Sequence, residues 1–322
     1  MNRQHAVPFR KFKTEVKWMK ETIKKVLLPL CGVMLGTAAL GNLLQSYSEP
    51  VRMVCGIFAA FLLILLLAKL ILFPQMIKED MKNPIMASVS GTFSMALMIL
   101  STYIKPFVGQ AAFYIWIFAI LLHVVLILYF TVTFLLKLDM KKVFASYYIV
   151  YVGIAVAAIT APAYEKTGIG AAAFWFGLVS LILLLILVTY RYVTVQTVPD
   201  PAKPLICIYA APASLCVAGY VQSVTPKSFG FLMALFILAV ILYVFALIKA
   251  TECLKMPFFP SYAAFTFPFV ISAIATKQTM ACAAKLGQPL PMLSVLVMIE
   301  TVIAVGLVVY TYIRFMMFIF KK

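Results

Sequence analysis

The chain has 322 residues, of which 65% are hydrophobic and only 11% charged, and its formal net charge is +17. A soluble domain is about half apolar and a quarter charged, so this composition excludes an ordinary globular fold and points to an integral membrane protein. The basic excess does not require nucleic acid, because it is concentrated where membrane topology accounts for it.

Residues 1–25 form a basic N-terminal segment. Phe9, Phe12, Val16, Met19 and Ile23 recur at three- and four-residue spacing, with Lys11, Lys13, Lys17, Lys20, Lys24 and Lys25 around Trp18. That pattern predicts an amphipathic helix lying on the cytoplasmic leaflet. It lacks a separate short apolar core with a small-residue cleavage site, so the first span is expected to be retained as signal and anchor in one.

Ten apolar stretches of about the length that crosses 30 Å of hydrocarbon follow within residues 26–318, and residues 319–322 make a short tail. The expected spans are 26–47, 52–72, 84–103, 110–136, 143–163, 169–190, 205–224, 229–249, 257–281 and 290–315. The alternate loops and tails on one side hold 21 of the 27 Lys and Arg residues. The other side has only Arg52, Lys105, Lys166, Lys227, Lys277 and Lys285. The positive-inside rule then places both termini in the cytoplasm of a multi-pass plasma membrane protein. Both faces stay net positive after the acids are subtracted, which would gather anions at either mouth of a pore.

The spans alternate in texture. Odd ones carry Gly, Pro and small polar residues, such as Pro84, Ser88, Gly91 and Ser94 in the third. Even ones are smooth, as in "FAAFLLILLLAKLIL". Smooth aliphatic surface suits lipid, whereas small residues and freed backbone groups are tolerated where protein or water satisfies them. The odd midpoints repeat about every 58 residues, so the repeating unit is a two-helix hairpin present five times. Units of two crossings all enter from the same side and are parallel. The predicted architecture is therefore all-α: five parallel hairpins around a central pore, odd helices inside and even helices outside. Gly36, Gly91, Gly153, Pro212 and Pro268 fall at a common depth of roughly 10 to 17 Å, and are expected to kink the inner helices there. Pro268 should also free the carbonyl of Ala264.

Two ionisable residues stand near the middle of their spans, His123 in the fourth and Glu300 in the tenth. Both are on even helices, predicted to lie outside the ring. A packed histidine and a protonated, hydrogen-bonded glutamate are the structural readings; proton coupling is the functional one. The six cysteines are scattered without a CxxC pair and read as small buried hydrophobes, with no metal site or cofactor implied. No HExxH, aspartate-rich metal motif, phosphate loop or activated nucleophile is present, so the chain does not read as an enzyme.

"AAFTFPFVISAIAT" (263–276), "GVMLGTAALGN" (32–42), "KNP" before the third span and "APASLCVAGY" in the seventh resemble the tellurite-resistance/dicarboxylate transporter family. That family includes bacterial tellurite-resistance proteins, fungal malate permeases and sulfite exporters, and the plant guard-cell slow anion channel. The resemblance is nearest to bacterial members and runs along the whole chain. It implies a homotrimer in the bacterial inner membrane, each protomer with its own pore for small anions, occluded by an aromatic ring that aligns with Phe267. Helical periodicity by itself would put Phe265 and Phe269, not Phe267, on one face with Ser272, Thr276 and Thr279. Asn83-Pro84 stands where many members have His-Pro, a departure that bears on substrate. The expected function is passage of small inorganic or carboxylate anions through the pore. The alternative is a proton-coupled carrier of C4-dicarboxylate, sulfite or a similar oxyanion.

Overall fold

Prolines and small polar residues decide where the helices of this chain begin. In the computed structural model, which describes residues 17–321, Ser48 and Asn83 each cap a helix that has proline in its first turn. Asn83 Oδ1 accepts from the backbone N–H groups of Ile85 and Met86 at 2.9 and 3.3 Å. Proline is at no disadvantage there, since the first-turn N–H groups have no partner within the helix.

After helical residues 17–24 come ten segments, with a short helix Pro74–Asp80 between the second and third. They are α1 (Leu30–Leu44), α2 (Glu49–Leu72), α3 (Pro84–Val108), and α4 (Gln110–Phe130), which runs on into a π-helical turn Thr131–Leu135. α5 is broken into Tyr147–Tyr151 and Val156–Thr160, with 3₁₀ turns at Gly153–Ala155 and Ala161–Tyr164. α6 (Thr167–Thr194) is continuous. α7 starts as a 3₁₀ run, Asp200–Tyr209, and becomes α-helical over Ala210–Ser223. α8 (Phe229–Cys253) is again continuous; α9 is a 3₁₀ turn Pro260–Phe265 followed by an α-helix Phe267–Lys285; α10 spans Leu293–Phe320. Among the described residues there is no strand.

Seven of these are long and apolar enough to cross a membrane: α2, α3, α4, α6, α7, α8 and α10. α1 and the second half of α5 are shorter apolar helices, and α9 is not among the seven. The shortfall falls on the first, fifth and ninth expected spans, all odd. The cause is the composition that set them apart: α1 starts only after Pro29, α5 is interrupted from Gly153, and Pro260 and Pro268 confine the α-helix of α9 to residues from Phe267 onward.

Packing follows parity. The odd elements touch in sequence, α1 on α3, α3 on α5, α5 on α7, α7 on α9, and α9 back on α1. Each even helix packs on its own odd partner and on the next odd element, so α2 meets α1 and α3 while α10 meets α9 and α1. α7 is buried almost throughout, whereas α4 leaves Phe118, Leu121, Val125 and Leu128 exposed. Of the N-terminal amphipathic pattern, Trp18 and Met19 are exposed and Ile23 is buried; Phe9, Phe12 and Val16 lie outside the described residues.

The expectation of five kinks is corrected at three positions. Gly36 and Gly91 sit inside uninterrupted α-helices. Each of them makes room beside its helix for a close neighbour. Pro268 is the second residue of its α-helix and so stands at a helix start. Gly153 does open a 3₁₀ break, and Pro212 stands where the 3₁₀ run of α7 has just become α-helical.

Candidate functional site

A cavity of about 230 Å³ lies among the odd elements, and every residue lining it belongs to one of them or to the chain leading into it. The 3₁₀ run of α7 explains its contribution. At three residues per turn, side chains at i and i+3 stack in one row, and Ala202, Leu205, Ile208 and Ala211 form that row along the cavity wall. Opposite stand Met86, Val89, Thr92 and Met95 of α3, with Tyr148 and Ile149 of α5.

The lining is set at the starts of helices. Pro29 and Gly32 flank the first turn of α1, Asn83 and Ile85 that of α3, and Tyr148 that of α5. Ala211 and Pro212 are in the first turn of the α-helical part of α7, Phe267 and Pro268 in that of α9. No Asp, Glu, Lys or Arg is among the lining residues. Helix N-termini carry partial positive charge from aligned peptide dipoles, so helix starts bordering an apolar space favour an anion without any basic side chain.

Phe267 lines this cavity, 5% exposed, while Phe265 and Phe269 are fully buried elsewhere. Phe269 packs edge-on against Tyr243 of α8 at 5.7 Å, and Phe265 lies 4.7 Å from Tyr262. The break between Thr266 and Phe267 resets the helical phase, so the face that an unbroken period assigns to Phe265 and Phe269 does not carry across it. Thr266 Oγ1 lies within hydrogen-bonding distance of the carbonyls of Gly32 (3.0 Å) and Ala263 (2.7 Å), tying this turn to α1. One turn along α1, a Cβ on Gly36 would sit 2.4 Å from Thr266 Cβ and 2.8 Å from Phe267 N. Gly36 is thus the flat surface on which the Phe267 backbone rests.

Gly91 and Gly153 serve another residue. His123 projects inward from α4 and is fully buried. Its Nε2 donates to Val150 O at 3.0 Å when it carries the proton, and its Nδ1 is 2.7 Å from Ser94 Oγ, so it bridges α3 and α5. A Cβ on Gly91 would lie 3.5 Å from the imidazole, and one on Gly153 only 3.2 Å. The two glycines make the slot that holds the ring.

Glu300 also turns inward, 1% exposed, and its Oε2 accepts from Thr276 Oγ1 at 2.6 Å. Polar contacts continue inward. Thr276 lies one turn beyond Ser272, whose hydroxyl is 3.0 Å from Ser214 Oγ on α7, and Ser214 donates to Ala210 O. Position on an even helix therefore did not put either ionisable group outside. All six cysteines are free, five of them buried, and the described residues contain no group of three or more His, Cys, Asp or Glu able to hold a metal.

The family model described as voltage-dependent anion channel, SLAC1, matches residues 28–316 of the chain. The chain belongs to the SLAC1 family. This is the same family as the tellurite-resistance/dicarboxylate transporter group that the motifs resembled. No curated relative matches the chain. SLAC1-family membership and the apolar helices make it a multi-pass membrane protein of a family of anion channels and transporters, and the matched stretch runs from just before α1 into the last turns of α10.

Proposed function

We propose that the protein passes small anions along an axial pore that is entered at the cavity and occluded by the Phe267 ring. The observation that carries this reading is the cavity lining: five helix starts, no charged side chain, and Phe267 among the walls. An anion is drawn in by peptide dipoles and is not trapped by a salt bridge, which suits conduction, since a conducted ion must be able to leave. An apolar ring across the path excludes water and ions. In this reading the ten segments cross the membrane as five parallel hairpins with both termini in the cytoplasm, the cavity opens to the cytoplasm, and three protomers assemble in the bacterial inner membrane. The sequential packing of the odd elements and the 21 to 6 distribution of basic residues support it.

Bilayer recording of the purified protein under a chloride gradient tests the proposal. The reversal potential is expected to shift toward the chloride equilibrium value, and Phe267→Ala to raise the conductance. Unchanged current in that variant removes the gate assignment.

A second reading, proton-coupled carriage of a C4-dicarboxylate, sulfite or similar oxyanion, is favoured by one observation: the contact from Glu300 through Thr276 to the helix that carries Phe267. His123 is the other candidate proton carrier. Uptake into proteoliposomes would then saturate and depend on a pH gradient, and Glu300→Gln would abolish that dependence. Uptake insensitive to pH in the parent protein would leave the carrier reading without support.

A further inference from the structure

Arg191, in the last turn of α6, is fully buried. Its Nη1 donates to Val195 O at 3.1 Å and its Nη2 to Thr197 O at 3.3 Å. The guanidinium carbon lies 4.6 Å from the centre of the Phe144 ring and 4.9 Å from that of Tyr192. No carboxylate pairs with it among the described residues. The acids on the neighbouring loops are taken by lysines, Asp139 by Lys142 at 3.4 Å and Asp200 by Lys203 at 2.6 Å.

Lys69 provides the contrast. It too is buried, at the end of α2, but it donates to Lys24 O at 2.6 Å and has the Asp80 carboxyl within Coulomb range.

Three buried polar atoms around Arg191 donate to no acceptor among the described residues: its own Nε, Tyr192 Oη and Ser146 Oγ. They come from one neighbourhood, since the Arg191 guanidinium lies over Phe144, the Tyr192 hydroxyl can accept from the Ala145 N–H and keeps its own proton to donate, and Ser146 is the next residue. A cation taken out of water loses several kcal/mol of solvation, which two carbonyl hydrogen bonds do not restore. One N–H and two hydroxyls can all donate. Donors on three separate side chains suit a spherical ion, which has no preferred ligand direction, better than a planar oxyanion that calls for a paired fork.

We propose that Arg191 Nε, Tyr192 Oη and Ser146 Oγ hold a resident halide-sized anion at the end of α6, apart from the permeation path. None of the three residues lines the cavity. The bound anion neutralises Arg191 and thereby steadies segment 195–199, which Arg191 holds through two carbonyls and which ends at Pro199 in the cavity wall. The cytoplasmic mouth is thus braced by an ion that is not itself transported.

Two measurements on the full chain test this. In crystals soaked in sodium bromide, an anomalous peak is expected within hydrogen-bonding distance of Arg191 Nε. In thermal unfolding of the detergent-solubilised protein, replacing sodium gluconate with sodium chloride should raise the midpoint equally for the parent chain and for Phe267→Ala. Arg191→Gln should lose the chloride effect. If that variant does not fold, Ser146→Ala and Tyr192→Phe should each shift the effect to higher chloride concentration. Anomalous density confined to the cavity, a midpoint indifferent to chloride, or a chloride effect unaltered in the Ser146 and Tyr192 variants overturns the proposal. A bromide peak at Arg191 with no chloride effect marks an adventitious ion only and overturns it as well. Anion conduction in the bilayer recording is independent of every one of these outcomes, so failure here leaves the pore reading intact.

Discussion

α4 and α7 are both apolar enough to cross a membrane, yet 22% of the central stretch of α4 is buried against 89% of that of α7. Hydrophobicity puts both in the bilayer and does not sort them further, because lipid tails are as apolar as leucine. What sorts them is side-chain size. α7 carries Ala211, Ala213, Ser214, Ala218 and Gly219, which let neighbouring backbones approach, while α4 presents Leu121, Val125 and Leu128 to the outside. α7 packs through small residues on all sides; α4 packs on one side and leaves large apolar side chains exposed on the other.

This contrast is sharpest at the glycines. Gly36→Leu is predicted to have the largest effect, because even its Cβ overlaps Thr266 and the Phe267 backbone. Overpacking of this kind costs about 1–3 kcal/mol, and here it should also disturb the seat of Phe267. A lowered unfolding midpoint in detergent together with altered conductance is the expected result. A Gly36→Leu protein that melts and conducts like the parent would break the inner–outer distinction at its strongest point.

His123→Leu comes next, as the one place where α4 behaves like an inner element. Removing the imidazole takes away the Val150 carbonyl's side-chain donor and leaves Ser94 only the Gly91 carbonyl, which should cost about 1–3 kcal/mol of stability. Denaturation curves should show a clear loss; no change would mean that the bridge between α3 and α5 contributes nothing. Glu300→Gln should do less, about 1 kcal/mol or below, because the amide oxygen can still accept from Thr276. A large loss of stability in that variant would show that the charge, and not the hydrogen bond, holds α10 to α9.

Gly306→Ala on α10 should be the smallest, within about 0.5 kcal/mol of the parent, since a Cβ there meets nothing within 4 Å. It is the outer control for Gly36, and a severe effect would place that face of α10 against protein instead of lipid.

The sequence made the membrane class, the alternation of textures and the family legible, since composition, period and motif order are properties of the chain itself. Phe267 was reachable only through the family resemblance. The helical period favoured Phe265 and Phe269, and failed because a period assigns faces only along an unbroken helix, whereas α9 changes from 3₁₀ to α between those residues. The glycines were legible as important, but a missing Cβ looks the same in sequence whether it breaks a helix, as at Gly153, or admits a neighbour, as at Gly36.

Hydropathy alone determined that these segments belong in a bilayer, because transfer into hydrocarbon is nearly additive over residues. Only the tertiary structure decided that Gly36 supports Phe267, that Gly91 and Gly153 house His123, and that Arg191 is fully buried against the Phe144 and Tyr192 rings. Each of these depends on which atoms from distant parts of the chain come within a few ångströms of one another, and contact at that range is a property of packing that no single helix carries.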